Sequence, residues 1–133
     1  MSIPPWTAHV LLACALLQIF LMGNVGLQRR RSGIHAPAMT GDAGLERAVR
    51  IQMNTLEQFG IFLPALLVAG AYANDGLTGA LGGVWLLGRV LYAIGYQQSA
   101  ARRSLGFLIA SVATIVLWLV AARELLRVWM AVA

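Results

Sequence analysis

Four apolar runs dominate this sequence, at roughly Trp6–Leu27, Leu56–Ala73, Leu77–Tyr96 and Leu105–Ala122. Each is close to the ~20 apolar residues that a helix needs to cross a bilayer. That pattern predicts an all-α fold, a four-helix up-down bundle in the membrane, forming one domain over residues 1–133. Composition agrees: 59% of the residues are hydrophobic and 11% charged, with a mean hydropathy of +0.75. A soluble domain of this length carries far more charge on its surface.

The charges are placed unevenly. All basic residues are arginine. Arg29, Arg30, Arg31, Arg47 and Arg50 lie between or at the edges of spans one and two, and Arg102 and Arg103 lie between spans three and four. The opposite side has Asp75 in its turn, Asn74–Asp75–Gly76, and no arginine before Arg123 and Arg127. The positive-inside rule places both basic loops in the cytoplasm and both termini outside, and the expected location is a bacterial inner membrane. Trp6 and Trp129 are the expected interfacial anchors on the outer side, where span four leaves the hydrocarbon near Arg123–Glu124. The first run is not read as a cleaved signal, because no positive charge precedes it and Arg29–Arg31 follow it. The Gln28–Leu45 loop, with Gly33, Pro37, Gly41 and Gly44, is expected to be irregular and able to fold back over a cytoplasmic cavity.

Several function classes drop out. The basic residues flank membrane spans, and no zinc or helix-turn-helix pattern accompanies them, so no nucleic-acid partner is expected. Cys14 is the single cysteine, which excludes an internal disulfide; it reads as a small buried hydrophobe. His9 has no companion ligand, and no metal site is expected. Gln18 and Asn24 in span one read as interhelical hydrogen-bonding amides. Gly79, Gly82, Gly83 and Gly88 on span three permit close helix approach, within or between subunits.

The segment Glu46–Pro64, reading ERAVRIQMNTLEQFGIFLP, carries the chemistry. Charged and amide groups in hydrocarbon cost several kcal/mol or so unless paired or lining a polar cavity. Arg50, Asn54 and Glu57, spaced i, i+4, i+7, share one helix face, and Arg89, Tyr92 and Tyr96 repeat the stripe on span three. Glu57 lies about 16 Å in from Glu46, and Arg89 about 12 Å in from Gln97, at the usual helical rise. Those depths predict a Glu57–Arg89 ion pair. A pair that only fixes helix packing leaves Arg50, Gln52, Asn54, Tyr92, Tyr96 and Arg103 at the same end unexplained; a polar cavity near the cytoplasmic face explains them all.

The run E-R-x-x-R-x-Q-x-N-x-x-E at Glu46–Glu57, followed by Phe62-Leu63-Pro64, resembles the signature of the MAPEG superfamily, membrane-associated proteins in eicosanoid and glutathione metabolism. Gly88-Arg89, Tyr92, Gly95-Tyr96, Ser99-Ala100 and Arg103 are similar to the third helix and following loop of its glutathione transferase and leukotriene-C synthase branch. The resemblance implies a homotrimer with a glutathione cleft at each subunit interface, open to cytoplasm and lipid. Arg50, Asn54, Glu57, Tyr92 and Tyr96 would hold glutathione from one subunit, with Arg29 or Arg30 and Gln52 reaching it from the neighbour. Arg89 and Gln58 are counted with these binding residues. Gln58 stands where the family synthase has a tyrosine, and Gly60 where a proline often follows. Arg103 matches the arginine thought to activate the thiol.

Residue chemistry agrees with those roles. Guanidinium groups bind carboxylates bidentately, and glutathione has two. Glu57 can accept from its γ-glutamyl amine, and a cation beside its thiol favours the thiolate. The expected function is therefore a prokaryotic-type membrane glutathione transferase that joins glutathione to hydrophobic electrophiles, extending to peroxidase activity toward lipid hydroperoxides. The partners are glutathione, a hydrophobic small molecule or lipid, and membrane lipids. The rival reading is a non-enzymatic lipid- or partner-binding protein of the activating-protein type.

Overall fold

The computed structural model describes residues 3–133. Its elements are helices α1 (Pro5–Ser32), α2 (Ala43–Tyr72), α3 (Asp75–Gln98) and α4 (Ser104–Val132), with a 3₁₀ turn at Ala100–Arg103 leading into α4. All four helices are long and apolar enough to cross a membrane. Contacts between their ends set the direction: Thr7 meets Asp75 at one end of α1 and α3, and Asn24 meets Gln97 at the other, so these two run parallel. α2 and α4 run back between them, as the up-down expectation has it.

The helices outrun the apolar segments that predict them. α2 has 30 residues, about 45 Å at 1.5 Å per residue, against a hydrocarbon core of about 30 Å. Its first turns, Ala43 to Asn54, are the polar stretch, wound as helix that extends past the apolar span. Asp42 starts it by accepting from Leu45 N at 2.8 Å, and Glu46 reaches back to accept from Gly41 N at 2.9 Å. α1 likewise runs on to Ser32 and stops at Gly33, whose φ of 70° is the left-handed region that glycine favours. The irregular part of the first loop therefore shrinks to 33–42. Arg29 braces it, donating from Nη1 to Ala38 O at 2.6 Å and Ile34 O at 3.4 Å.

The expected three-residue turn at the opposite end is also shorter. Asp75 and Gly76 already belong to α3, and Asn74 caps them by accepting from Leu77 N at 3.0 Å. Asp75 is then free to serve α1, whose own cap residue, Pro4, has no side-chain acceptor. Its carboxylate accepts from Trp6 N at 2.9 Å, from Thr7 N at 3.0 Å and from the Thr7 hydroxyl at 2.9 Å. One carboxylate thus satisfies orphan amides of a second helix and ties the two together. α4 continues as helix through Arg123–Glu124 to Val132, with Glu124 accepting from Arg127 at 3.1 Å.

Between the ends the core is tight. Phe62 of α2 stacks on Trp85 of α3, with centroids 4.0 Å apart and planes 9° from parallel. Cys14, Leu66, Ala113 and Leu117 close around them, all buried. The glycines of α3 pack inside the subunit: Gly79 faces Trp6, Gly82 faces Val10, and Gly88 lies against the α4 backbone at Gly106 and Ala110. Gly83 faces open space. Asn24 Nδ2 donates to Gln97 Oε1 at 3.0 Å, the interhelical bond expected of it. Gln18 differs: its Oε1 is buried without a partner.

Candidate functional site

At the arginine-rich end a cavity of about 640 Å³ opens between α2, α3 and α4. α2 contributes Arg50 and Asn54, α3 contributes Tyr92 and Tyr96, and the 3₁₀ turn contributes Arg103. Each pair on α2 and α3 is spaced i, i+4, so consecutive turns place both side chains on one wall. Ser104, Phe107 and Leu108 at the start of α4 make the opposite wall. These three escaped the sequence reading, because along one apolar helix a cavity wall and a lipid-facing stripe carry the same residue types. One side of the cavity is thus cationic and phenolic, the other mainly apolar.

Close packing of α3 on α4 brings the walls together. Gly95 lies against the Arg102 carbonyl, and Gly106 against the Tyr92 backbone, where any side chain would collide. The turn they permit sets Arg103 beside Tyr96, with Nη1 3.5 Å from the phenol oxygen and the guanidinium carbon 5.3 Å from the ring centroid. The Tyr92 and Tyr96 rings are 5.6 Å apart, and Tyr92 is 6.3 Å from Phe107.

Glu57 stands at the rim, half exposed, and pairs with Arg50 at 3.4 Å. The predicted Glu57–Arg89 ion pair is not formed. Arg89 is 1% exposed and donates from Nη2 to Thr55 Oγ1 at 2.6 Å and to Asn54 Oδ1 at 3.0 Å, with its guanidinium 4.1 Å from the centre of the Tyr92 ring. The depth argument placed the two residues at matching levels but ignored direction. Successive helical residues turn by about 100°, so Thr55, which faces α3, points roughly 200° away from Glu57. Asn54 links the two groups instead, accepting from Arg89 and donating from Nδ2 to Glu57 Oε2 at 3.4 Å. Arg89 therefore lies behind the cavity wall rather than in it.

Four other expected binding residues do not line this cavity within one chain. Arg29 is engaged with the loop carbonyls, and Arg30 is exposed on the last turn of α1. Gln52 is half-buried about 200° around α2 from Arg50, and Gln58 is half-buried one turn beyond Asn54. A larger groove of about 780 Å³ between α2 and the far end of α4 is lined only by apolar side chains, from Pro64 to Val132. It offers no charged group to hold an anion, whereas the smaller cavity has Arg50 and Arg103.

A sequence model described as the MAPEG family matches residues 7–123, a range that includes every cavity residue. An uncharacterised protein of Synechocystis sp. is 42% identical over 112 residues, covering 84% of this chain and 82% of that protein. Microsomal glutathione S-transferase 2 of Homo sapiens is 37% identical over 100 residues, 75% of this chain and 68% of the relative. Leukotriene C4 synthase of Cavia porcellus is 39% identical over 96 residues, 72% of this chain and 64% of the relative.

Proposed function

The chain belongs to the MAPEG family and is an integral membrane protein, and from that premise we propose that it is a membrane glutathione transferase. The observation that carries the reading is the two-sided cavity: Arg50, Asn54, Tyr92, Tyr96 and Arg103 on one side, Phe107 and Leu108 on the other. Its volume of about 640 Å³ falls within the range of small-molecule sites.

Arg50 is placed to take a carboxylate of glutathione, and Glu57, already paired with it, to accept from the γ-glutamyl amine. Asn54 and the two phenols supply the neutral hydrogen bonds. Arg103 holds a positive charge where the thiol would sit beside Tyr96. Lowering a thiol pKa from about 8.5 to about 7 takes roughly 2 kcal/mol of differential stabilisation, within reach of one nearby guanidinium in a partly dehydrated site. The thiolate then attacks an electrophile that enters along Phe107 and Leu108 from the lipid; the S–C bond forms as the leaving group departs with its electron pair. A lipid hydroperoxide in the same place would be reduced by the same thiolate: the O–O bond breaks, its terminal oxygen goes to sulfur as a sulfenate and the lipid leaves as the alcohol, after which a second glutathione thiol gives the disulfide and water.

In this reading the protein is a homotrimer in which Arg29 or Arg30 and Gln52 reach a neighbouring subunit's cavity. The arginine-rich end faces the cytoplasm of a bacterial inner membrane. The test is glutathione added to detergent-purified protein, read as thermal shift, ultraviolet thiolate absorbance and conjugation of a chromogenic aryl halide. A shift with thiolate absorbance and turnover supports the transferase. Binding with neither thiolate nor turnover would move the protein to the non-catalytic, activating-protein type, and no binding would reject the glutathione reading altogether.

A further inference from the structure

Arg89 is the most deeply buried charge described in the chain, and its surroundings are unusual. It makes no ion pair among the described residues, and its Nε and Nη1 are buried without partners. Its polar partners are two neutral oxygens on adjacent residues of α2, Asn54 Oδ1 and Thr55 Oγ1. A guanidinium only donates, so the Asn54 amide must turn its oxygen toward Arg89. That leaves Nδ2 facing the cavity side, where it points at Glu57. Thr55 fits the same logic, since its hydroxyl accepts from Arg89 and donates to Ile51 O at 2.9 Å.

From this we infer that Arg89 is a positioning residue: it locks Asn54 with its NH₂ toward the cavity, so that this position recognises an oxygen acceptor of the ligand, a carboxylate or carbonyl. The inference rests on the glutathione reading above and sharpens it. Asn54 becomes a donor-only contact, and Arg89 acts on binding without touching the ligand. The lock reaches Tyr92 as well, because the guanidinium lies against that ring at 4.1 Å.

Two variants test this. Asn54→Asp keeps an acceptor for Arg89 and supplies the carboxylate that this buried guanidinium lacks, while removing the donor from the cavity. Its melting temperature without ligand should stay close to wild type, the new Arg89–carboxylate pair offsetting the repulsion from Glu57 where Nδ2 had donated, while glutathione affinity falls about tenfold. Arg89→Met releases the amide; KM for glutathione should rise about tenfold with kcat within about threefold, and Arg89→Lys should recover part of the loss. A merely structural role for Arg89 predicts instead that kcat, KM and melting temperature deteriorate together. Where Arg89→Met fails to fold, Arg89→Lys is read against wild type in its place, because it keeps the charge but lacks the Nη2 that donates to both Asn54 and Thr55, and an unchanged KM there counts equally against the inference. Wild-type affinity in Asn54→Asp, or an unchanged KM in a folded Arg89→Met, overturns the inference. A wild type that ignores glutathione overturns the reading beneath it, which is a different result.

Discussion

Replacing Gly106 with alanine should disable the cavity without altering any group that lines it. Gly106 of α4 sits against α3, and an added Cβ would lie 2.6 Å from both the Gly88 carbonyl oxygen and Tyr92 Cα, and closer still to the Tyr92 amide. Comfortable heavy-atom contact is about 3.5–4.0 Å, so the two helices must part locally by about 1 Å. Backbone on both sides leaves no flexible side chain to yield. Tyr92 and Tyr96 ride on α3, while Arg103, Ser104, Phe107 and Leu108 ride on the turn and α4. The separation therefore moves the Arg103 cation and the apolar wall away from the phenols. Overpacking of this kind costs about 1–3 kcal/mol in stability, and a 1 Å misplacement can cost about 100-fold in rate. The assay is kcat/KM for glutathione conjugation, with melting temperature, in one detergent. Gly83→Ala is the control, because a Cβ there meets nothing within 4 Å. We expect a loss of 10- to 100-fold or so for Gly106→Ala and wild-type behaviour for Gly83→Ala. Wild-type kcat/KM in Gly106→Ala, or an equal loss in Gly83→Ala, would refute the claim that α3–α4 contact sets the site.

Three further substitutions separate the roles. Arg103→Ala should lower kcat about 30-fold, the equivalent of roughly 2 kcal/mol of thiolate stabilisation, with glutathione Kd within about threefold and the ultraviolet thiolate signal lost; unchanged turnover would remove Arg103 from the mechanism. Arg50→Ala should weaken glutathione binding about tenfold or more by deleting one charge-assisted partner and leaving the Glu57 carboxylate without its counterion; titration calorimetry checks it, and an unaltered Kd counts against carboxylate recognition there. Asp75→Ala should lower the melting temperature by freeing the Trp6 and Thr7 amides, yet leave Kd and kcat at wild type, since it sits at the opposite end of the bundle from the cavity.

Much of the fold was legible because helices in lipid follow from local rules. The apolar runs marked four helices, and their number and up-down alternation hold. Their ends shifted, since capping reads backbone hydrogen bonding rather than hydropathy: Asp42 starts α2 well before the apolar run, and Asn74 as cap starts α3 at Asp75, two residues before the apolar run at Leu77. The cavity's polar roster was legible for a similar reason, as Arg50 with Asn54 and Tyr92 with Tyr96 are helical neighbours. Ser104, Phe107 and Leu108 were not, because nothing local separates an apolar cavity wall from an apolar lipid face.

What the amino-acid order determined alone is what depends on one helix at a time: length, membrane character, the stripe each helix carries and the family signature. What tertiary structure decided depends on how far one helix is rotated and how near it lies to the next. Rise along a helix is constant, so depth could be computed from residue numbers; azimuth across helices could not. That is why Glu57 and Arg89 match in depth yet never meet. Thr55 faces α3 and takes the guanidinium, Glu57 turns to Arg50, and Gly88 and Gly106 set the helix separation that brings Arg103 to Tyr96.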